Sequence, residues 1–340
     1  MSSTTLGVEA LAELIHRALL ASGVSERSAQ SVTAALVAAE MDGEVGHGAA
    51  RVPSYCGQAR SGKVSGHATP EVTAVGSGGL RIDAKGGFAY PALDVMSESL
   101  PELARTCGVA AAAVTNSHHL GMAGYHSERL ARAGVLGLVF SNSPGAMAPY
   151  GGTRAVFGTN PIGFAAPRSE GPPLVIDMGL STVARGKIMV AARNGERIPE
   201  GWALDRDGEP TTDPEAAMDG TLLPIGGAKG SALALLVEVL AAALTGSHFG
   251  HEASSFFVAE GPPPSIGQFV IALDPEGFSA GAFESRLEEL IAAIEEQPGA
   301  RIPGALKAER RRAALQDGVT LTAELHNEIL AIAEAPPVER

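Results

Sequence analysis

His47 and Arg51 stand four residues apart in the segment Gly46-His47-Gly48-Ala49-Ala50-Arg51. Histidine exchanges a proton near neutral pH, and the planar guanidinium of arginine holds a carboxylate through paired hydrogen bonds. If the chain is helical from Gly48 onward, the two side chains share one face. Together they suit reduction of a 2-oxo acid, with Arg51 clamping the carboxylate while His47 protonates the forming alkoxide. Taken alone, the same pair also suits a surface ion-pair network. Other chemistry-bearing residues collect just after apolar runs: Asn116-Ser117-His118-His119, then Ser141-Asn142-Ser143-Pro144, then Asp177. Carboxyl ends of strands line the ligand crevice of α/β sheets, so three such placements point to a site. His118 and His119 are adjacent and no carboxylate follows at helical spacing, so no metal centre is expected.

No G-x-G-x-x-G stands between a strand and a helix, and Gly76-Ser77-Gly78-Gly79 reads as a hairpin turn. Gly226-Gly227-Ala228-Lys229-Gly230 resembles a phosphate loop without its Gly-Lys-Ser/Thr order. Free N–H groups at the start of the helix that follows can bind an anion, and a plain glycine turn explains the segment equally well.

The elements that must position these groups belong to a folded chain. Of 340 residues, 45% are hydrophobic and 19% charged, which fits one large domain or two to three smaller ones sharing an interface. A net charge of −13 repels a phosphate backbone and argues against a nucleic-acid partner; a local arginine can still reverse the potential inside a cleft. Cys56 and Cys107 make neither a disulfide framework nor a zinc site. The polar N-terminus does not read as a signal peptide, and the apolar stretch Ser231 to Leu244 is short and interrupted by Glu238. A cytoplasmic protein with no membrane partner is expected.

Helical spacing marks residues 8–19, closed by Gly23, and a second helix capped by Ser25; a third runs to Arg60. No strand is expected in the first 70 or so residues. A hairpin follows at 71–84. A helix over 91–106 leads to an apolar run at 109–115 that reads as a strand buried on both faces. A helix at 125–133 and a second run at 135–141 complete an α/β alternation. Short strands are expected at 163–166, 174–177 and 269–273, and a strong helix at 229–244. The tail from Phe278 reads as helical, with the basic run Lys307 to Arg312 as a solvated face.

With these elements aligned, the chain resembles the type-2 malate/L-lactate dehydrogenase family, also called L-sulfolactate dehydrogenase-like. The resemblance rests on GHGAARVPSY (46–55), TNSHHLGMAGYH (115–126), APYGGTRAVFGTNPIGFAAP (148–167), IDMGLSTVARGKI (176–188), IPEGWALDRDGEPTTDP (198–214) and GGAKGSALALLVEVLAAALTG (226–246). It implies a three-layer α/β fold with a mixed sheet that is not a Rossmann fold, flanked by helical N- and C-terminal segments, which accounts for the missing glycine fingerprint. It implies NAD or NADP as cofactor, a small carboxylate as substrate, and a homodimer with the active site near the interface. Residues 1–70 and 300–340 would form a helical substrate and dimerisation region. Residues 71–299 would form the cofactor-binding domain, with a helical insertion near 185–225.

By motif, the resemblance makes His47 the acid/base and Arg51 the carboxylate ligand. His119 becomes a substrate contact and a second candidate for the proton, and Tyr55 a substrate contact. Cofactor contacts fall on Ser143, Thr159, Asp177, Met178, Gly179, Ala228, Lys229, Pro303 and Gly304. The loop 252–257 is placed to shape the substrate pocket. Val45-Gly46 replaces the family's usual Asp-Ser before the histidine, and Gly179-Leu180 departs from Ala-Thr. These departures put sulfolactate/sulfopyruvate among the candidate substrates. The rival readings are reduction of cyclic imines such as Δ1-piperideine-2-carboxylate or Δ1-pyrroline-2-carboxylate, and a non-enzymatic small-molecule binding protein.

Overall fold

A computed structural model describes residues 2–338; Met1 and Glu339–Arg340, the extremes of the expected terminal region, lie outside the described residues. The chain opens with strand β1 (Ser3–Leu6), then helices α1 (Val8–Ala21) and α2 (Glu26–Met41). Leu11, Leu14, Ile15, Ala18 and Leu19 recur at helical spacing on α1 and are all buried. The Ser25 hydroxyl accepts from the Ser28 N–H and caps α2 as its sequence requires. Two 3-10 turns, Val45–His47 and Ala49–Arg51, lead into α3 (Val52–Ser61). The hairpin β2 (Glu71–Val75) and β3 (Gly79–Asp83) precedes α4 (Ala89–Cys107), β4 (Val109–Ser117), α5 (Ala123–Arg132), β5 (Leu136–Ser141), β6 (Ile162–Ala166) and β7 (Leu174–Met178).

The next segment carries α6 (Arg185–Asn194), β8 (Ala203–Leu204), β9 (Pro210–Thr211), α7 (Pro214–Asp219) and β10 (Thr221–Leu222). Helix α8 (Ala228–Glu238) runs on into a π turn at Val239–Ala243. The chain closes with β11 (Ile266–Leu273), α9 (Pro275–Ser279), α10 (Phe283–Glu295), α11 (Ala305–Asp317), β12 (Val319–Thr322) and α12 (Ala323–Glu334).

The main sheet has the order β2-β3-β4-β11-β5-β6-β7. β3 and β4 are parallel, and β11 is antiparallel to both β4 and β5. β6 opposes β5 and β7, so β3, β4, β5 and β7 share one direction and end along one edge. Period-2 alternation divides the two faces. Val139, Val270 and Ala272 pack with Leu93, Met96 and Leu100 of α4 and Leu130 of α5. Phe140, Phe269 and Ile271 face the other way, toward Ala234, Val237 and Ala241 of α8 and its π turn. This is a mixed-sheet, three-layer arrangement. A separate core joins the two chain ends, with Leu11, Ile15, Leu36, Val52 and Tyr55 against Leu321 and Ile329.

Five expectations need correction. A strand does occur before residue 70, because β1 pairs antiparallel with β12; its four residues are too few to show a period. The C-terminal tail is accordingly helical except for β12. β4 is not buried on both faces: its burial alternates and Val109 is exposed, since alanines make a run look apolar without a second packed layer. The insertion near 185–225 holds a three-stranded sheet, order β10-β8-β9, beside its two helices. The basic run on α11 is only partly solvated: Arg310 and Arg312 are exposed, whereas Lys307 and Arg311 are docked. Arg311 pairs with Asp42 and, at 2.6 Å to each oxygen, with Glu128, and Lys307 Nζ lies 3.8 Å from Asp177. Asp42 and Glu128 are buried, and a buried carboxylate demands a cation.

Candidate active site

His47 and Arg51 do not share a helix face. Gly48, at φ −99° and ψ −136°, separates the two 3-10 turns. The buried Glu40 carboxylate accepts from the Ala49 N–H at 2.6 Å, and a Cβ on Gly48 would stand 2.2 Å from Glu40 Oε1. The glycine is needed for contact, and the break follows from it. It turns the His47 ring onto His119, with centroids 5.6 Å apart and planes 22° from parallel. Arg51 Nε donates to the Gly46 carbonyl at 2.7 Å, and its guanidinium lies 4.6 Å from the centre of the Phe257 ring. Arg51 Nη1 is buried with no partner among the described residues. A buried guanidinium donor left unpaired is costly, and a substrate carboxylate would satisfy it.

His119 follows the end of β4. Its Nδ1 lies 2.6 Å from the Tyr55 hydroxyl, which lies 3.1 Å from the Tyr90 hydroxyl. Tyr55 is fully buried, so it reaches the site through His119 rather than facing a ligand. The direction of this hydroxyl chain sets the histidine tautomer: if Tyr55 donates to Nδ1, then Nε2 carries the hydrogen and can only donate. Burial, reinforced by the charges of Arg51 and Lys307, lowers the His47 pKa from 6.5 to about 4. Burial first, then Arg51, His47 and His118, lowers that of His119 as well. His118 is buried behind the pair, its pKa lowered by burial to about 3, with neither ring nitrogen partnered among the described residues. Packed edge-on to Tyr55 and Phe88, it serves as an apolar wall.

The loop after α8 completes this corner, as expected. Phe256 sits with its ring 4.8 Å from His119 and 5.2 Å from His118. Sequence reasoning missed what anchors it. Gln58 Nε2 donates to the Phe256 and Val258 carbonyls, and the Ser61 hydroxyl to that of Ala259. Lys63 Nζ donates to the carbonyls of Ser255, Val258 and Glu260. A polar side chain capping carbonyls far along the chain leaves no local pattern, so nothing in the sequence pointed to Gln58 or Lys63.

A second cluster gathers where β5, β6 and β7 meet. The Ser143 hydroxyl accepts from the Thr159 N–H at 3.1 Å. Asp177 receives the Gly124 N–H at the start of α5 and faces Lys307; burial raises its pKa against both. Leu180 N–H donates to the Thr159 carbonyl and Ile225 N–H to that of Leu180, which brings residues 177–180 beside the lead into α8. Met178, Gly179, Ala228 and Lys229 are exposed. Gly304, at φ 84°, begins α11 against β7, where a Cβ would stand 3.1 Å from the Val175 carbonyl.

Lys307, one turn into α11, acts on His47 and on Asp177 alike and so links the two clusters. The second cluster fits a dinucleotide. The helix start at Ala228 has no side-chain cap, and a Cβ on Gly226 would meet nothing within 4 Å. At Gly179 the nearest atoms would be those of Thr159, at 3.7 Å, so backbone there is open to close approach. Among the described residues no group of three or more His, Cys, Asp or Glu is placed to hold a metal ion.

The fold defines an oxidoreductase class built on a mixed sheet outside the Rossmann type. A family model for malate/L-lactate dehydrogenase matches residues 6–330, and the chain belongs to that family. It is 52% identical to a (2R)-3-sulfolactate dehydrogenase (NADP(+)) from Chromohalobacter salexigens, over 87% of this chain and 88% of the relative. The Δ1-piperideine-2-carboxylate reductase structure from Pseudomonas syringae pathovar tomato superposes with a TM-score of 0.92 at 36% identity, covering 97% of this chain and 99% of that one. The sulfolactate dehydrogenase structure from Methanocaldococcus jannaschii gives a TM-score of 0.90 at 32% identity, covering 97% and 96%.

Proposed function

We propose that this NAD(P)-dependent oxidoreductase interconverts 3-sulfopyruvate and 3-sulfolactate, with NADP(H) as its cofactor. The reading rests on one observation: the buried, unpartnered Arg51 Nη1 beside two stacked imidazoles whose pKa values are lowered. The sulfonated substrate and the preference for NADP(H) rest on likeness to the Chromohalobacter salexigens enzyme.

Arg51 Nη1 holds the substrate carboxylate, and the Phe256 ring covers His119 and His118 against water. When bound, the nicotinamide supplies the hydride that reaches C2. His47 gives the proton to the alkoxide oxygen, and His119 Nε2, its tautomer set by the Tyr90–Tyr55 chain, donates a hydrogen bond to the same oxygen. In the free protein His47 is neutral at pH 7, which suits it to accept a proton from a 2-hydroxy acid. A carboxylate on Arg51 cancels one of the charges that lower His47, so its pKa rises and it takes up the proton that it gives in reduction. Ser143, Thr159, Asp177–Gly179, Ala228–Lys229 and Pro303–Gly304 hold the dinucleotide.

The reading extends to assembly and location. Leu233, Leu235 and Leu236 of α8, with Val239 and Leu244 beyond it, are exposed. An apolar surface of this kind marks an interface, and a second copy of the chain is its occupant, as a homodimer. Residues 1–70 and 300–340 are assigned to the substrate region and 71–299 to the cofactor domain, whose helix α8 carries the apolar face that meets the second copy, in place of the terminal segments expected to dimerise. No helix among the described residues is long and apolar enough to cross a membrane; the cytoplasm is the proposed location.

Purified protein mixed with NADPH or NADH and a panel of sulfopyruvate, oxaloacetate, pyruvate and the two cyclic imines tests the reading through loss of absorbance. Turnover of sulfopyruvate with NADPH is expected. Turnover of an imine alone would establish the second reading, which the Pseudomonas syringae structure favours because Arg51 serves a cyclic imino acid equally well.

A further inference from the structure

Glu238 ends α8 immediately before the π turn at Val239–Ala243, and it is buried. Three N–H donors converge on its carboxylate. Asn142 Nδ2 donates to Oε1 at 3.1 Å, the Gly250 N–H to Oε1 at 2.6 Å, and Asn160 Nδ2 to Oε2 at 2.7 Å. These donors come from three separate segments, and two of them adjoin cofactor-facing residues: Asn142 precedes Ser143 and Asn160 follows Thr159. Gly250 is wedged against Ser143 and the stretch that leads to Thr159, since a Cβ there would stand 2.9 Å from the Ser143 carbonyl and 3.0 Å from Gly158 N. Asn160 holds a φ of 41°, in the left-handed region, and its Nδ2 donates both to Glu238 and to the Ala234 carbonyl, which holds the residue there. π turns within helices recur at functional sites because they re-aim a side chain off the regular ladder.

We infer that Glu238 is a positioning residue for the cofactor, fixing Ser143 and Thr159 as one platform through Asn142, Asn160 and Gly250. A Glu238→Gln substitution keeps the shape but turns an NH2 group toward at least one of three donors. The platform then loses its register without a change in the side chains that face the nucleotide or the substrate. This assignment rests on the reading of Ser143 and Thr159 as cofactor contacts.

The test is a fluorescence titration of NADPH without substrate, with the steady-state constants measured beside it. Loss of one hydrogen bond to a buried charged group corresponds to about tenfold weaker NADPH binding in Glu238→Gln. KM for NADPH should rise in parallel, while kcat at saturating NADPH stays within about threefold of wild type, as expected when binding rather than chemistry is impaired. Glu238→Asp, which withdraws the carboxylate by one methylene, should shift binding in the same direction. NADPH binding within about twofold of wild type in Glu238→Gln, or a fall in kcat with KM unchanged, overturns the assignment. Failure of both variants to show a cooperative unfolding transition overturns it in favour of a purely structural role. A wild-type protein that binds neither NADPH nor NADH defeats the cofactor reading itself, an outcome distinct from equal binding by wild type and variant.

Discussion

The histidine corner and the cofactor platform are built on opposite principles. At the platform, polar groups are mostly paired within the protein: Ser143 with Thr159, and Asn142, Asn160 Nδ2 and Gly250 with Glu238, leaving Asn160 Oδ1 as the buried exception. At the corner, Arg51 Nη1, Glu40 Oε2 and both ring nitrogens of His118 are buried without a partner among the described residues. Unpaired buried groups are costly, and of these the Arg51 donor is the one a substrate carboxylate satisfies, so the corner holds that cost in reserve for its ligand. The platform offers shape and open backbone, and the corner offers charge. The difference teaches that substitutions in the two regions should fail in different ways, through chemistry and carboxylate binding at the corner and through nucleotide affinity at the platform.

The largest effect is expected at His47. His47→Ala should lower kcat by about 10²- to 10⁴-fold, the usual contribution of a positioned acid/base, with NADPH affinity nearly unchanged. His119→Ala run alongside decides between the two imidazoles, since retention of kcat in His47→Ala and its loss in His119→Ala would move the proton to His119. Arg51→Ala comes next. It should raise KM for the 2-oxo acid by about 10- to 100-fold, the equivalent of a charge-assisted hydrogen bond, while KM for NADPH holds. Equal losses in both constants would dissolve the division between corner and platform.

The two regions were also unequally legible in the sequence. Strand ends carrying Ser143, Asp177 and His119 could be read because apolar runs stop where the polar residues begin, and the sheet does bring β4, β5 and β7 to one edge. A strand is expected at 269–273, but hidden from that reading was its place in the sheet, where β11 enters between β4 and β5 from far along the chain. The pair His47 and Arg51 was found by spacing, but for a wrong geometric reason. Glu40, whose contact with Ala49 breaks the helix at Gly48, lies one helix earlier and gives no periodic signal. The same holds for Glu238, which reads in sequence only as an interruption of an apolar helix. Buried carboxylates that organise distant backbone look like surface residues until the fold closes over them. Arg311 and Lys307 were misread for the complementary reason, because their partners Asp42, Glu128 and Asp177 lie in other elements.

Two buried imidazoles, His118 behind the corner and His126 on α5, set a pH dependence of stability. His118 and His126 are buried, with pKa values lowered by burial from 6.5 to about 3 and about 4. Above pH 6.5 neither the folded nor the unfolded chain protonates them. As the pH falls below 6.5 the unfolded chain takes up protons first, so stability declines until the folded values near 3 to 4 are reached. Each histidine contributes a slope of up to about 1.4 kcal/mol per pH unit in that window. Urea unfolding at pH 7, 6 and 5 should show falling midpoints. His126→Phe should flatten part of the slope; unchanged midpoints would mean that these rings reach water.

The smallest effect, and the finest test of the contrast, lies at Phe257. Its ring is mostly exposed yet carries the Arg51 guanidinium over its face. A cation–π contact at such a site is worth about 0.5–1 kcal/mol, so Phe257→Ala should raise KM for the 2-oxo acid by about two- to fivefold. Thermal stability should be unchanged, because little apolar area leaves the core, and NADPH affinity should hold. The variant separates two ways of fixing Arg51. If KM does not move, the Gly46 carbonyl alone aims the guanidinium, and the broken turn at Gly48 is what positions the carboxylate clamp. If KM rises while KM for NADPH stays constant, the loop held by Gln58 and Lys63 takes part in substrate recognition, and the corner depends on a segment that the Glu238 carboxylate anchors at Gly250.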